Sequence, residues 1–414
     1  MFKSRITEII HDTRGNVIGL ACIGLVTLVG GAGLGVDTVQ WFLWNQQLRQ
    51  GVEAGALGGA YALAHGGAVT PSATREVNRN ANLTLAIEAI NSPPGSGALI
   101  GETNAVEVIA STTHALPFSS LFIDAPTIRA RAVATIIGVG DFCVLALAPT
   151  GVGVELSGGS NVDLDCGVAS NSVASNSIDL GGSSQLAANP VSSAGGLSGA
   201  SNLAPGTTQL LYGNPERDPY ASRNLAVPTN PTACTRTNFR VGSNEVRNIT
   251  PGRYCNGMTL AGNVNMAPGV YIVDRGNFDL GSQARVTGTG VTIVLTGSNT
   301  SNIGSIFING GASLDISPPS QFDNPRWQDI LIFQDPRGST STGRINGGGT
   351  LDLEGVIYMP RGNLFYAGNA GSHARCLFLV AYRVSLSGTS DFINDCPEEF
   401  DDSKPRVRRV RIVE

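Results

Sequence analysis

Hydrophobic positions fall into three textures along the chain. Val17 to Val36, VIGLACIGLVTLVGGAGLGV, is an uncharged apolar run, long enough at helical rise to cross ~30 Å of hydrocarbon. Helix-like sequence continues from Thr38 to Ala64, and Pro71 to Ser92 reads as a second helix broken by Pro93 and Pro94. Ala105 to Ser111 and Ile128 to Ile137 have strand character; the second alternates small or apolar with polar side chains. From Cys143 onward the texture is one of short alternating segments. NSIDLGGSSQL, NGMTLAGNVNMAPGVYIV and GGTLDLEGVIYM are examples, each bracketed by Gly, Asn, Ser or Pro.

These segments predict a mainly β fold. Few hairpin signals separate them and helical crossovers are missing, so a parallel β-helix (β-solenoid) fits better than a meander or a βαβ sheet. Asp163, Asp179, Asp279, Asp315 and Asp352 each stand between two apolar residues. In a strand this predicts flanking residues that point inward and an aspartate that points outward. Asp279, Asp315 and Asp352 are separated by 36 and 37 residues, which suggests two coils of roughly 18 residues each.

The predicted organisation is then an N-terminal segment, transmembrane helix and helical extension over 1–64, and a small α/β stalk over 65–138. A β-solenoid over 139–397 follows, with an irregular, Pro-rich insertion at about 196–248, and then a C-terminal tail over 398–414. The tail's RVRRVRIVE reads as a basic strand that would pair with a solenoid edge or cap its end, or serve as a partner-binding arm.

Charge orients the apolar run. Lys3, Arg5 and Arg14 precede it, while Arg49 is the one basic residue soon after. The amino terminus is therefore expected in the cytoplasm and everything beyond Asp37 outside. Trp41 and Trp44 fall where amphipathic rings settle at the membrane interface. A cleaved secretory signal is the alternative. Gly31 and Gly35 within the run, and Gly51, Gly55 and Gly59 beyond it, recur every four residues. Each interior helical glycine costs about 1 kcal/mol relative to alanine, so a stripe of them suggests close approach by another helix. That helix would belong to a second copy or a partner; packing within the chain, or an irregular glycine-rich loop, are the other readings.

Composition narrows the function classes. With 53 glycines and only 14% charged residues, the chain suits many short strands and tight corners. The net charge of -5 provides no basic footprint for nucleic acid. His11, His65, His114 and His373 show no metal-ligand spacing. Apart from Cys22, in the apolar run, six cysteines remain, and no C-x-x-C pair occurs among them. An even number in an exported region points to disulfides. Pairing of sequential neighbours predicts Cys143–Cys166, Cys234–Cys255 and Cys376–Cys396, each closing a loop that stabilises by about 3 kcal/mol in the chain-entropy model.

Candidate chemistry is sparse. Parallel β-helices include polysaccharide lyases and hydrolases, which need converging carboxylates or a nearby base. Asp163 with Asp165, and Asp352 with Glu354, are the two i,i+2 pairs available. No Arg, Lys or His accompanies either pair in sequence, so solvated outward positions are the expectation and no catalytic residue is assigned. An acidic stripe also suits Ca²⁺, but the calcium-binding nonapeptide is missing. No metal or cofactor is predicted.

The run GNVIGLACIGLVTLVGGAGLGVDTVQWFLWNQQLRQGVEAGALGGAYAL resembles the amino-terminal segment of TadG-like (tight adherence, Flp-type) pilus-assembly proteins. The exported part is similar to a subset of that family through CVLAL at Cys143, PGRYC at Cys255, APGVYIVDRGNF and GVTIVL. The resemblance implies a non-enzymatic accessory or assembly component of a Tad/Flp-type pilus. It would be held in the bacterial inner membrane by a single span, with pilus or secretion-platform subunits as partners and the bulk of the chain periplasmic. A membrane-anchored carbohydrate-binding or carbohydrate-cleaving β-helix is the alternative. The Asp-x-Ser-x-Ser of a von Willebrand A-type metal site, found in some members, does not occur here. Nor does Gly15 precede the acidic residue of processed pilins.

Overall fold

The computed structural model describes residues 16–223, 225–347, 350–368, 373–374, 376–392 and 406–414. The chain forms two units: the first extends to Gly138 and takes in Arg408–Glu414, and the second is Val139–Val407.

In the first unit a single helix, α1 (Asn16–Ala64), carries both the apolar run and its extension without a break. A shorter helix, α2 (Val69–Asn80), starts with Pro71 in its first turn, where the missing N–H costs nothing. The helix predicted to reach Ser92 stops at Asn80. Ala86–Asn91 is instead a strand, β1, antiparallel to β2 (Ala105–Thr113). Ile87 and Ile90 are β-branched, and pairing with β2 outweighs the helix propensity of Ala and Glu in AIEAIN. β3 (Thr127–Ala146) pairs antiparallel with β2 through Thr127–Thr135 and continues into the second unit. The end of the C-terminal tail docks in the first unit: Val413 N–H donates to the Val133 carbonyl, and Val133 N–H donates to that of Glu414. The core joins Leu48, Val52, Ala56 and Ala60 of α1, one residue per turn, to Ala73 and Val77 of α2 and to the inward side of the sheet.

In the second unit the strands pair in parallel, and in many stretches each pairs with the third strand after it. Val154–Leu156, Asn161–Leu164 and Gly167–Ser170 pair with Ile178–Leu180, Gln185–Ala187 and Val191–Ser193. The same rule holds from Gly269–Asp274 to Val291–Thr296 and from Phe278–Leu280 to Ile306–Ile308. Three ladders result, and the circuits vary in length: 17 residues from Val246 to Asn263, 22 from Val270 to Thr292 and from Val356 to Phe378, and 24 from Val154 to Ile178.

Stacking order departs from chain order. On one ladder, eleven strands lie in the sequence Gln209–Leu210, Val191–Ser193, Gly167–Ser170, the end of β3, 376–381, 354–359, Ile330–Gln334, Val291–Thr296, Gly269–Asp274, 252–255 and the start of Arg236–Val241. The chain thus enters mid-stack at β3, winds outward to Leu210, crosses to the far end, and winds back until 376–381 lies beside β3. Inner strands of this ladder, such as Val291–Thr296 and Ile330–Gln334, are buried on both sides. Leu377, Leu379 and Ala381 join the inner core, while Phe378 and Val380 join an outer cluster with Phe142, Leu145, Trp327, Phe333 and Tyr358. The crossing segment covers that cluster through Tyr220, Leu225 and Val227.

Contacts of the crossing segment follow the ladder in order. Glu216 exchanges backbone hydrogen bonds with the Asn171 side chain, and Asp218 accepts from the Tyr358 hydroxyl at 2.7 Å. Arg223 donates to the Gln328 carbonyl, and Arg253 donates to those of Pro228 and Pro231. Burial, with the Asp218 carboxylate alongside, pushes the Tyr358 hydroxyl far above its ordinary range, so it remains a donor.

Candidate functional site

The two halves of α1 differ in what surrounds them. Ile23, Leu25, Val26 and Leu28 are exposed, whereas Leu48, Val52, Ala56 and Ala60 are fully buried. α1 is long and apolar enough to cross a membrane by length and composition. Its glycines divide the same way. A Cβ on Gly51 would lie 2.9 Å from that of Ala81; one on Gly55 would collide with Val77 and reach 3.2 Å from the Ala73 carbonyl oxygen; one on Gly59 would meet Val106 at 2.9 Å. The helix that approaches this stripe is the chain's own α2, with β2 behind it. Gly31 and Gly35 have nothing within 4 Å of such a Cβ and remain open.

The cysteines fall where neighbouring strands meet. Cys143–Cys166 and Cys234–Cys255 are disulfides with Cα atoms 5.7 Å apart in each. The first ties the end of β3 to Gly167–Ser170, and the second ties the end of the crossing segment to the adjacent strand. The predicted Cys376–Cys396 pair includes Cys396, which lies outside the described residues. Cys22 is a free, exposed thiol on α1.

All five aspartates in the apolar-Asp-apolar pattern have buried neighbours on both sides in their strands. Asp163 and Asp165 are exposed; Asp352 and Glu354 are half-buried. The predicted pair of 18-residue coils is not found. Asp315 pairs directly with Asp352, so that single circuit takes 37 residues because the 317–329 loop is inserted in it, and Asp279 belongs to a different ladder. Among the described residues, no group of three or more His, Cys, Asp or Glu comes together as a metal site would require.

One buried charge escaped sequence reading. Glu107 in β2 is fully buried and accepts from Ser96 Oγ at 2.6 Å, Asn91 Nδ2 at 2.7 Å, Arg131 Nε at 2.6 Å and Gly95 N–H at 3.0 Å. Arg131 also pairs with Glu414, which tethers the chain terminus to the sheet. The available signal was an acid inside the apolar strand AVEVIA. Burial alone would raise the Glu107 carboxyl, but the hydrogen bonds from Ser96, Asn91, Arg131 and Gly95 overcome it and hold the group at about 2. Since this folded value lies below the ordinary 4.5, the cluster stabilises fully above pH 4.5 and loses that contribution as pH falls toward 2. Glu107→Gln is expected to cost about 3 kcal/mol at neutral pH by leaving Arg131 poorly compensated. Hydrogen exchange of β2 amides should show wild type and variant converging as pH falls below 4.5; a difference independent of pH would refute this.

No protein-family model, curated protein or solved structure matches the chain.

Proposed function

We propose that this chain is a non-enzymatic assembly component of a Tad/Flp-type pilus, anchored in a bacterial inner membrane by the first half of α1. The observation that carries the reading is the continuity of α1. An exposed apolar half runs without a linker into a half buried in a folded unit, so a load on the exported protein would pass directly to the span. The resemblance of the α1 sequence and of the exported motifs to TadG-like proteins supports the pilus assignment. The two disulfides suit an oxidising compartment, which on the charge asymmetry of Lys3, Arg5 and Arg14 would be the periplasm. The second unit we read as a β-solenoid of three strands per coil, on the strength of its three parallel ladders and of stretches in which successive strands pair with the third strand after them. Gly31 and Gly35 would admit the span of a second copy or of a secretion-platform subunit.

Deletion of the gene in its own host tests this reading. Surface pili should be lost and should return with the intact gene, and a periplasm-active reporter should work after Ala64 but not before Gly15. Normal pili in the deletion strain would end the pilus assignment. Pili that survive together with altered polysaccharide turnover would favour a carbohydrate-active protein, and Asp163, Asp165, Asp352 and Glu354 would be the residues to replace next.

A further inference from the structure

The loop between β2 and β3 carries the sequence LPFSSLFID at residues 116–124. It begins beside Trp44 of α1, whose ring lies 5.0 Å from that of His114. It then descends along the helix toward the apolar half. Phe118 N–H donates to Asp37 Oδ1 at 3.1 Å, and the backbone N–H and hydroxyl of Ser119 both donate to Oδ2 at 2.5 Å. The Phe118 ring lies against Gly33, where a Cβ would stand 2.9 Å from it. From Trp44 to Gly33 the helix axis advances about 16 Å, so the loop follows α1 down past the end of the apolar run.

What the loop presents there is apolar. Phe122 is 88% exposed, Ile123 56% and Phe118 41%, and Trp41, Phe42 and Leu43 stand exposed on the adjoining helix. In water such a patch is unfavourable. Five backbone N–H groups of the loop, by contrast, have acceptors. Ser120 N–H donates to the Leu116 carbonyl, those of Phe122 and Ile123 donate to the Ser119 carbonyl, and the Asp37 carboxylate takes the N–H groups of Phe118 and Ser119. Pairing of these N–H groups lowers the cost of placing the loop in a non-aqueous surrounding. Asp37 itself, buried and held by three donors, is no longer a bare charge at the mouth of the span.

We propose that residues 116–123 form a hook that inserts into the headgroup–acyl boundary of the lipid bilayer beside α1, with Phe122 and Ile123 at its tip. The occupant of this apolar surface is lipid, because Asp37 and Gly33 fix the loop to the end of the apolar half of α1, whose own large side chains are likewise exposed. This inference rests on the reading of α1 as a membrane anchor. The hook sets the first unit directly on the membrane surface, and the level at which the protein meets water lies near Trp44, with Asp37 below it.

Nitroxide labels on the full-length Cys22→Ser protein, in vesicles of phosphatidylcholine and phosphatidylglycerol, test the two readings separately. One label replaces Phe122, one replaces Leu28 in the span, and one replaces Glu102, an exposed residue of the same unit. The ratio of oxygen to nickel-chelate accessibility at Phe122→Cys should rise several-fold above that at Glu102→Cys and approach that at Leu28→Cys. If Leu28→Cys behaves as lipid-embedded while Phe122→Cys matches Glu102→Cys, the hook is wrong and the anchor stands. A water-like ratio at Leu28→Cys overturns the anchor and the hook with it. A label at Phe122→Cys shielded from both reagents means that protein, such as a second copy, covers the loop, which also overturns the proposal.

Discussion

Gly55→Leu is expected to unfold the α1–α2–sheet core, whereas Gly35→Leu leaves it intact. At position 55 the first added carbon already collides with Val77 Cγ2 and approaches the Ala73 carbonyl oxygen, with Val108 3.6 Å behind. A backbone oxygen has no rotamer by which to yield, so leucine must push α2 away from α1. That separation exposes Ala73 and Val77, both fully buried, and loosens their contact with the sheet. Leucine gains about 1 kcal/mol of helix propensity over glycine, but overpacking of this kind costs 1–3 kcal/mol or more before any burial is lost. A net loss above about 3 kcal/mol is the outcome these terms predict. At Gly35 nothing lies within 4 Å, so only the propensity gain applies inside the unit. Hydrogen exchange of α2 amides in both variants reads the contrast. Equal protection in Gly55→Leu and wild type would mean that α2 does not pack against this stripe.

The same residues show what was legible in the sequence. Small residues at four-residue spacing signalled a close helix approach, but spacing says nothing of whose helix arrives, and α2 is short enough to have looked like stalk. Residue types at 86–91 favour helix locally, and the strand they form depends on a pairing partner that lies beyond a loop in β2. Inward and outward positions around Asp163, Asp179, Asp279, Asp315 and Asp352 were legible because alternation is a local property of a strand. Two of the disulfides followed because each joins strands one circuit apart. Coil length is not legible from the aspartates, because the loop at 317–329 lengthens one circuit and their equal spacing does not mean equal coils. Glu107 was invisible as a cluster because its partners Asn91, Ser96 and Arg131 are brought together by sheet pairing. Gly33 and Asp37 looked like an ordinary end of an apolar run, and their contacts with Phe118 and Ser119 come from about 80 residues away.

Least legible was the role of the insertion, and it supports the remaining prediction: replacing residues 214–231 by four Gly/Ser residues should prevent the second unit from forming, whereas replacing them by eighteen should permit a weakened fold. Between Leu210 and Arg236 the chain must travel from one end of the eleven-strand ladder to the other. Ten steps at about 4.8 Å amount to about 48 Å, which an extended chain covers with no fewer than about 15 residues. The natural segment, 211–235, is comfortably longer than this, and the short replacement falls below it. The long replacement can span the distance, but it strips Tyr220, Leu225 and Val227 from the outer cluster and exposes Trp327, Phe333 and Phe378 beneath. Two or three large apolar side chains lost at about 1.5–3 kcal/mol each, together with the Tyr358–Asp218 hydrogen bond, predict a destabilisation of several kcal/mol. Continuous apolar runs such as GVTIVL and CLFLVAY exist because this segment gives their outer residues a second core to enter. Circular dichroism, protease resistance and dye binding to exposed apolar surface distinguish the three proteins. A short-linker monomer that folds like the wild type would show that the strands do not stack in this order.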